Sequence, residues 1–184
     1  MDAAIRGTLG TSLVVESGIR VIEARGERLR AAEGVLRGFL PHQRVHYAAN
    51  IATVERYFDE AAHDRELADL NAHYGPPDGC VLLALDAGEP AGAVCMRRFD
   101  EERCEMKRLF VPQQHRRKGI GRILSLALID RAHAIGYKKM VLDTGTFMVE
   151  SQALYRSIGF RYIEPYYAVR EELRDGLVYM ELEL

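Results

Sequence analysis

From Met106 to Ile129 the chain reads MKRLFVPQQHRRKGIGRILSLALI. Its character changes twice. Up to Val111 it is apolar and β-prone, from Pro112 to Lys118 it is a basic loop, and from Gly119 onward Ile120, Ile123, Leu124, Ala127 and Leu128 recur at helical spacing. A strand therefore runs into a loop that opens a helix. No acidic residue lies in this stretch, yet Lys107, Arg108, Arg116, Arg117, Lys118 and Arg122 do. The first turn of a helix offers unpaired N–H groups and the positive end of the dipole. Gly119 and Gly121 let an anion approach the backbone without a Cβ in the way, and neighbouring Arg and Lys add charge to the same oxygens. The segment predicts a phosphate cradle. It is not a Walker loop, because GxxxxGK[ST] is absent, nor a dinucleotide fingerprint, because Leu124 stands where the third glycine would be.

On the N-terminal side, Cys80–Asp86, Ala91–Phe99 and Arg103–Val111 are short apolar runs joined by tight turns, the pattern of an antiparallel meander. Further upstream, Ile19–Ala24 alternates like a strand. Glu27–Leu40 has helical spacing with Pro41 as its stop, residues 41–50 read as a polar connection, and a second helix runs from a Thr53 cap to about Leu70. Residues 1–17 read as an N-terminal extension or an extra edge strand. Downstream of the helix, Gly136 is placed for a left-handed cap. Lys138–Asp143 reads as a strand, Glu150–Ser157 as a short helix closed by Gly159, and Phe160–Val169 and Leu177–Leu184 as strands. The expected fold class is α/β of the α+β type: a mixed, mostly antiparallel central sheet of about seven strands with about four helices.

The chain has 184 residues, 48% hydrophobic and 28% charged, as expected of one ordinary globular domain. With 25 Lys+Arg against 27 Asp+Glu the net charge is −2, which argues against a nucleic-acid partner. Neither a membrane span nor a secretory leader is read from the sequence. Cys80, Cys95 and Cys104 are odd in number and lack CxxC spacing, so reduced buried thiols in a cytoplasmic protein are expected and no metal site.

Arg116-Arg117-Lys118-Gly119-Ile120-Gly121 fits (Q/R)xxGx(G/A), and Leu154-Tyr155-Arg156-Ser157-Ile158-Gly159-Phe160 fits LYxxxGF. Both motifs, in this order and spacing, resemble the GNAT family, the Gcn5-related N-acetyltransferases. The resemblance implies residues 18–184 as a single acetyltransferase domain. It also implies acetyl-CoA as co-substrate without a metal, and transfer to a primary amine by direct attack in a ternary complex. A small-molecule amine is the expected acceptor. The alternatives are a protein N terminus or lysine, or a non-catalytic acyl-CoA sensor. A homodimer is a family-level expectation. Carried onto this chain, Leu109, Phe110 and Val111 lie along the pantetheine arm, and the stretch Arg116, Arg117, Lys118, Gly119, Ile120, Gly121 and Arg122 binds the pyrophosphate. The chain departs from the family where Asn and Ala are common: it has Met148 and Ser151, and Ser151 offers a hydroxyl to the cofactor in place of an amide.

Acetyl transfer to an amine needs a route for the ammonium proton, a donor for the oxyanion and a proton for the thiolate. Tyr155 matches the family's general acid; the competing reading is a packing aromatic. Glu105 stands where histone-type members carry a catalytic Glu, which makes it the expected base for the ammonium proton. Alternation places it on one face with Lys107, Leu109 and Val111. Its alternative is an ion pair with Lys107, Arg97 or Arg98. His42 and His46 lie in the stretch expected to line the acceptor pocket, and His115 beside the basic loop.

Overall fold

The computed structural model describes residues 13–14 and 18–184; the reading of residues 1–17 as an extension falls mainly outside them. In chain order the elements are β1 (Leu13–Val14), β2 (Ile19–Glu23), α1 (Glu27–Leu36), α2 (Phe39–His46), α3 (Ile51–Tyr57), α4 (Glu60–Ala68), α5 (Leu70–Tyr74), β3 (Cys80–Asp86), β4 (Glu89–Arg98) and β5 (Arg103–Phe110). Then follow α6 (Ile120–Ile135), β6 (Lys139–Gly145), α7 (Val149–Ile158), β7 (Arg161–Ile163) and β8 (Leu177–Glu183). The sheet order is β1-β2-β3-β4-β5-β6-β8-β7, with β1 paired antiparallel to β2 at one edge. Among the described residues only the β5–β6 pair is parallel, because α6 carries the chain across between them.

The sheet separates two cores. Under α6 and α7, Leu124, Leu128, Cys104 and Met140 are fully buried. Under α1 and α5 on the opposite face lie Leu36, Leu67, Leu83 and Cys95. All three cysteines are free and buried. Among the described residues there are seven α-helices rather than about four, and the surplus comes from the two N-terminal helices. The expected Glu27–Leu40 helix ends at Leu36, and Gly38 lets the next segment pass close to the sheet: a Cβ there would sit 3.0 Å from the Phe110 ring. Pro41 does not stop a helix but lies in the first turn of α2, where a missing N–H is harmless. The expected polar connection over residues 41–50 is thus helical to His46, with a 3₁₀ turn at Ala48–Asn50. Thr53 is not a cap. Asp59 and Asp69 are, accepting from Ala62 N at 2.8 Å and Ala72 N at 2.9 Å, and they cut one expected helix into α3, α4 and α5. The strand expected over Phe160–Val169 shrinks to Arg161–Ile163, since Pro165 lacks a donor and restrains Glu164.

Two irregularities in β5 position the site. Its pairing with β6 covers Arg103↔Lys139, Cys104↔Met140 and Glu105↔Val141, then ceases. Its register against β4 shifts between Cys95↔Lys107 and Ala93↔Phe110, where Arg108 takes φ 58. This bulge overturns the expected alternation: Leu109 and Val111 pack on the α6 face with Met106, whereas Lys107 and Phe110 belong to the other side. A non-glycine residue at positive φ is strained by roughly 1–2 kcal/mol and needs restraint. The Arg108 guanidinium supplies it, donating to Glu66 at 2.8 and 2.7 Å and lying over Phe58 at 5.3 Å.

Burial alone would push the Glu66 carboxyl up. The Arg108 guanidinium and the Tyr74 hydroxyl overcome that and hold it at about 2. A depressed carboxylate contributes stability above its unfolded pKa of about 4.3, and this is lost as pH falls toward 2. Glu66→Gln, which leaves Arg108 buried without a partner charge, should cost about 3–5 kcal/mol at pH 7. Thermal melts of the two proteins should converge between pH 5 and 2; a gap constant with pH would assign Glu66 no ionic role.

Candidate functional site

The loop after β5 turns through two left-handed residues, Arg117 at φ 63 and Gly119 at φ 76, before α6 begins. No side chain caps the helix, and its first bond is Ile123 N to Gly119 O at 3.0 Å. The N–H groups of the first turn therefore face outward, unpaired within the helix. A groove of about 590 Å³ runs along this turn, the end of β5 and α7. It is lined by Leu109, Phe110 and Val111, by Arg116 and Arg117, by Gly119 through Arg122, and by Ser151. Lys118 is not on its wall; its Nζ pairs with Asp86 Oδ2 at 2.5 Å, and His115 Nδ1 meets the same oxygen at 3.1 Å. Arg116 is aimed by two contacts, Nε to Val111 O at 3.0 Å and Nη2 to His42 Nε2 at 2.6 Å. Arg122 donates to Ser157 Oγ at 3.1 Å and ties α6 to α7.

At its inner end the groove meets a cavity of about 80 Å³ in the gap between β5 and β6. Gln43, Leu109, Met148 and Ser151 line both spaces and form the throat. The cavity crosses the sheet: Met106, Leu142 and Tyr155 reach it from the α6 side, and Lys107, Asp143 and Tyr57 from the other. Tyr155 is buried, its ring against Phe160 at 5.7 Å, and burial, then Asp143, push its phenol up.

Glu105 is only 2% exposed and is not on the cavity wall. Its oxygens accept from Arg97 Nη2 at 2.6 Å, Lys107 Nζ at 3.3 Å and the Tyr166 hydroxyl at 2.8 Å. Lys107 bridges onward to Asp143 Oδ1 at 2.8 Å, and Tyr57 and Tyr167 donate to Asp143 Oδ2. Charges thus alternate along Arg97, Glu105, Lys107 and Asp143. Burial would discharge both inner groups. The carboxylates and Tyr57 nevertheless raise the Lys107 ammonium, and Lys107 with the two tyrosines lowers Asp143. The Glu105 pairs with Arg97 and Lys107 are the ion-pair alternative that the sequence offers, and both form. What the sequence does not reveal is Asp143, which reads only as a strand end, and the tyrosines that hold it. The available signal was register: Asp143 lies two residues past the last β6 pairing position, as Lys107 does on β5.

A splayed sheet beside an uncapped helix N terminus, with a groove leading into a charged cavity, is the arrangement these residues build. The acetyltransferase (GNAT) family matches residues 45–160, and the chain belongs to it. An uncharacterized N-acetyltransferase of Schizosaccharomyces pombe is 39% identical over 123 residues, 66% of this chain and 74% of that protein. The N-acetylaspartate synthetase of Danio rerio is 32% identical over 120 residues, 64% of this chain but only 42% of that protein, so less than half its length is matched. The fold is shared with a Salmonella typhimurium protein described as an acetyltransferase and solved with its cofactor acetyl-CoA. That structure has a TM-score of 0.59 at 22% identity, over 90% of this chain and 94% of the other. Among the described residues no helix is long and apolar enough to cross a membrane, and no His/Cys/Asp/Glu group is arranged for a metal ion.

Desolvation, then the charges of Arg116 and His46, lower the His42 imidazole to about 4. It is therefore neutral at pH 7 and free to accept from Arg116. An NMR titration should place its midpoint near 4; a midpoint near 6.5, the ordinary value, would mean that His42 does not hold Arg116.

Proposed function

We propose that the protein transfers the acetyl group of acetyl-CoA to a primary amine of a small-molecule acceptor, by direct attack in a ternary complex. The observation that carries this reading is the throat, where a groove suited to a phosphate-bearing ligand opens into a partly enclosed, charged cavity. The pyrophosphate lies on the N terminus of α6 with Arg116, Arg117 and Arg122, and the pantetheine arm follows Leu109, Phe110 and Val111 past Ser151. The thioester then reaches the throat with Tyr155 beyond it. A cavity of about 80 Å³ favours a compact acceptor over a folded protein surface, and the likeness to a protein named N-acetylaspartate synthetase is in keeping with a small amine.

In the reaction the amine nitrogen attacks the thioester carbon, the C–N bond forms as the carbonyl pair moves to oxygen, and the C–S bond breaks on collapse. The nitrogen sheds its extra proton to solvent, and Tyr155, its phenol raised by burial, donates a hydrogen bond to the departing thiolate. A phenol near pKa ~10 is a weaker acid than a thiol near ~8.5, so its service is a hydrogen bond to developing charge in a desolvated space. Asp143, on the cavity wall, receives the acceptor's ammonium; Glu105 acts from behind, holding Lys107 and through it Asp143.

Gly121→Glu tests the groove. A Cβ at Gly121 makes only an ordinary 3.5 Å contact with Leu154, so the fold should persist while the carboxylate repels the pyrophosphate. Calorimetry should show acetyl-CoA binding lost, and unchanged affinity would remove the ligand from this groove. Tyr155→Phe tests the chemistry. Turnover should fall about 10²–10⁴-fold, roughly 3–5 kcal/mol of barrier, with acetyl-CoA affinity kept; wild-type turnover would leave Tyr155 a packing residue. Glu105→Gln should instead lower melting temperature and turnover together, because it leaves Arg97 and Lys107 short of a charge. Loss of turnover in a fully stable Glu105→Gln protein, shrinking at high pH, would restore Glu105 as the proton acceptor.

A further inference from the structure

Helix α2 crosses the junction of the two spaces: Phe39 lines the cavity, His42 and His46 line the groove, and Gln43 lines both. Gln43 is only 4% exposed as a residue, its carboxamide makes no side-chain hydrogen bond among the described residues, and its polar atoms are not among the sealed, unpaired ones, so the access they keep is to the two spaces Gln43 lines. Amides this deep in a fold are usually paired within the protein. The neighbouring amide shows the usual state: Gln152 donates to Gly145 O at 2.8 Å and Thr146 O at 3.0 Å and accepts from Tyr162 at 2.9 Å. His63, by contrast, is sealed with both ring nitrogens unpaired, but it touches neither space. Of the four throat residues, Leu109 and Met148 are apolar, and Ser151 stands on α7. Gln43 is the throat's amide, free to donate.

Resting on the acetyl-CoA reading above, we propose that Gln43 is a catalytic residue whose Nε2–H donates to the thioester carbonyl oxygen and stabilises the oxyanion formed when the amine attacks. The carbonyl must pass the throat for the acetyl carbon to meet an acceptor in the cavity, and the throat is where the unpaired donor waits. Nothing is transferred to Gln43. The pair displaced from the carbonyl rests on oxygen against the amide and returns as the C–S bond breaks. A preorganised donor of this kind is typically worth 10²–10³ in turnover.

The test compares wild type with Gln43→Met, of similar length and without the amide, and with Gln43→Glu, of the same shape with an acceptor replacing the donor. Isotope-edited infrared spectra of bound [1-¹³C]acetyl-CoA need no acceptor. The thioester carbonyl band should lie lower in wild type than in Gln43→Met. With an acceptor found by screening amino acids and simple alkylamines for thiol release, kcat should fall about 10²-fold in the Met protein and further in the Glu protein. The acetyl-CoA affinity and the acceptor KM should change little. Melting temperature should hold in Gln43→Met, since no hydrogen bond within the protein is lost. An unshifted carbonyl band, an unchanged kcat, or an effect confined to the acceptor KM would each overturn the assignment. If wild type fails to bind acetyl-CoA, the groove reading falls and this one with it; if wild type binds and turns over but the Met protein matches it, only this one falls.

Discussion

The gap between β5 and β6 is the constraint on which the site depends. Parallel neighbours would ordinarily keep exchanging backbone bonds along their length, yet pairing stops after Glu105↔Val141 although β6 continues to Gly145. Opening a sheet at its centre exposes backbone groups that must find other partners. Two features hold the opening. The bulge at Arg108 turns the end of β5 away from its neighbour and is itself held by Glu66. Lys107 and Asp143 then span the gap side chain to side chain at 2.8 Å. Such a buried pair gives little net stability over apolar packing, but removing one partner is costly, so it fixes the width of the gap more than it strengthens the fold.

The opening and the basic loop serve one another through α6. Nine residues separate the splayed end of β5 from the helix, with a 3₁₀ turn at Gln113–His115 and left-handed Arg117 and Gly119, and they set the first turn of α6 on the groove wall. The acidic neighbours of the loop are arranged not to fill that space. Asp86 takes Lys118 and His115 on the outer side, while His42, held neutral, supports Arg116 without neutralising it. Of the six cations that mark this stretch of sequence, Lys107 and Arg108 are matched by buried or half-buried carboxylates and Lys118 by Asp86. The anion-facing charge is left to Arg116, Arg117 and Arg122.

Local rules carried most of the reading from Cys80 to Phe160. The meander, the long amphipathic α6 and the glycine caps at Gly136 and Gly159 all depend on neighbours within one or two turns, and the left-handed φ of both glycines matches their expected role. Reading failed where the decisive contact is distant. The Arg37–Gly38 break depends on Phe110, more than seventy residues away. The bulge at Arg108 depends on Glu66, and nothing in the alternation of β5 reveals it. The polar network joins Tyr57, Lys107, Asp143 and Tyr167 from four elements or loops, so no window of sequence contains it. Asp59 and Asp69 are a different case: both are ordinary capping residues, overlooked because the apolar period ran on across them.

The charge pattern of the cavity also constrains the chemistry placed there. Arg97, Glu105, Lys107 and Asp143 sum to zero, and Lys107 and Asp143 are each driven further into their charged forms by the other. Neither group changes charge near neutral pH, so neither alone behaves as a base poised at pH 7. The cavity instead offers a fixed field, a carboxylate at Asp143 beside an ammonium at Lys107; under the acetyl transfer proposed above, the first suits a cationic acceptor and the second suits negative charge growing on the thioester. An ammonium held beside Asp143 would have its own pKa raised, as the Lys107 ammonium does, and would have to give up its proton against that carboxylate before it could attack. In the proposed reaction, rate limits on the acidic side therefore belong to the amine and Asp143 together.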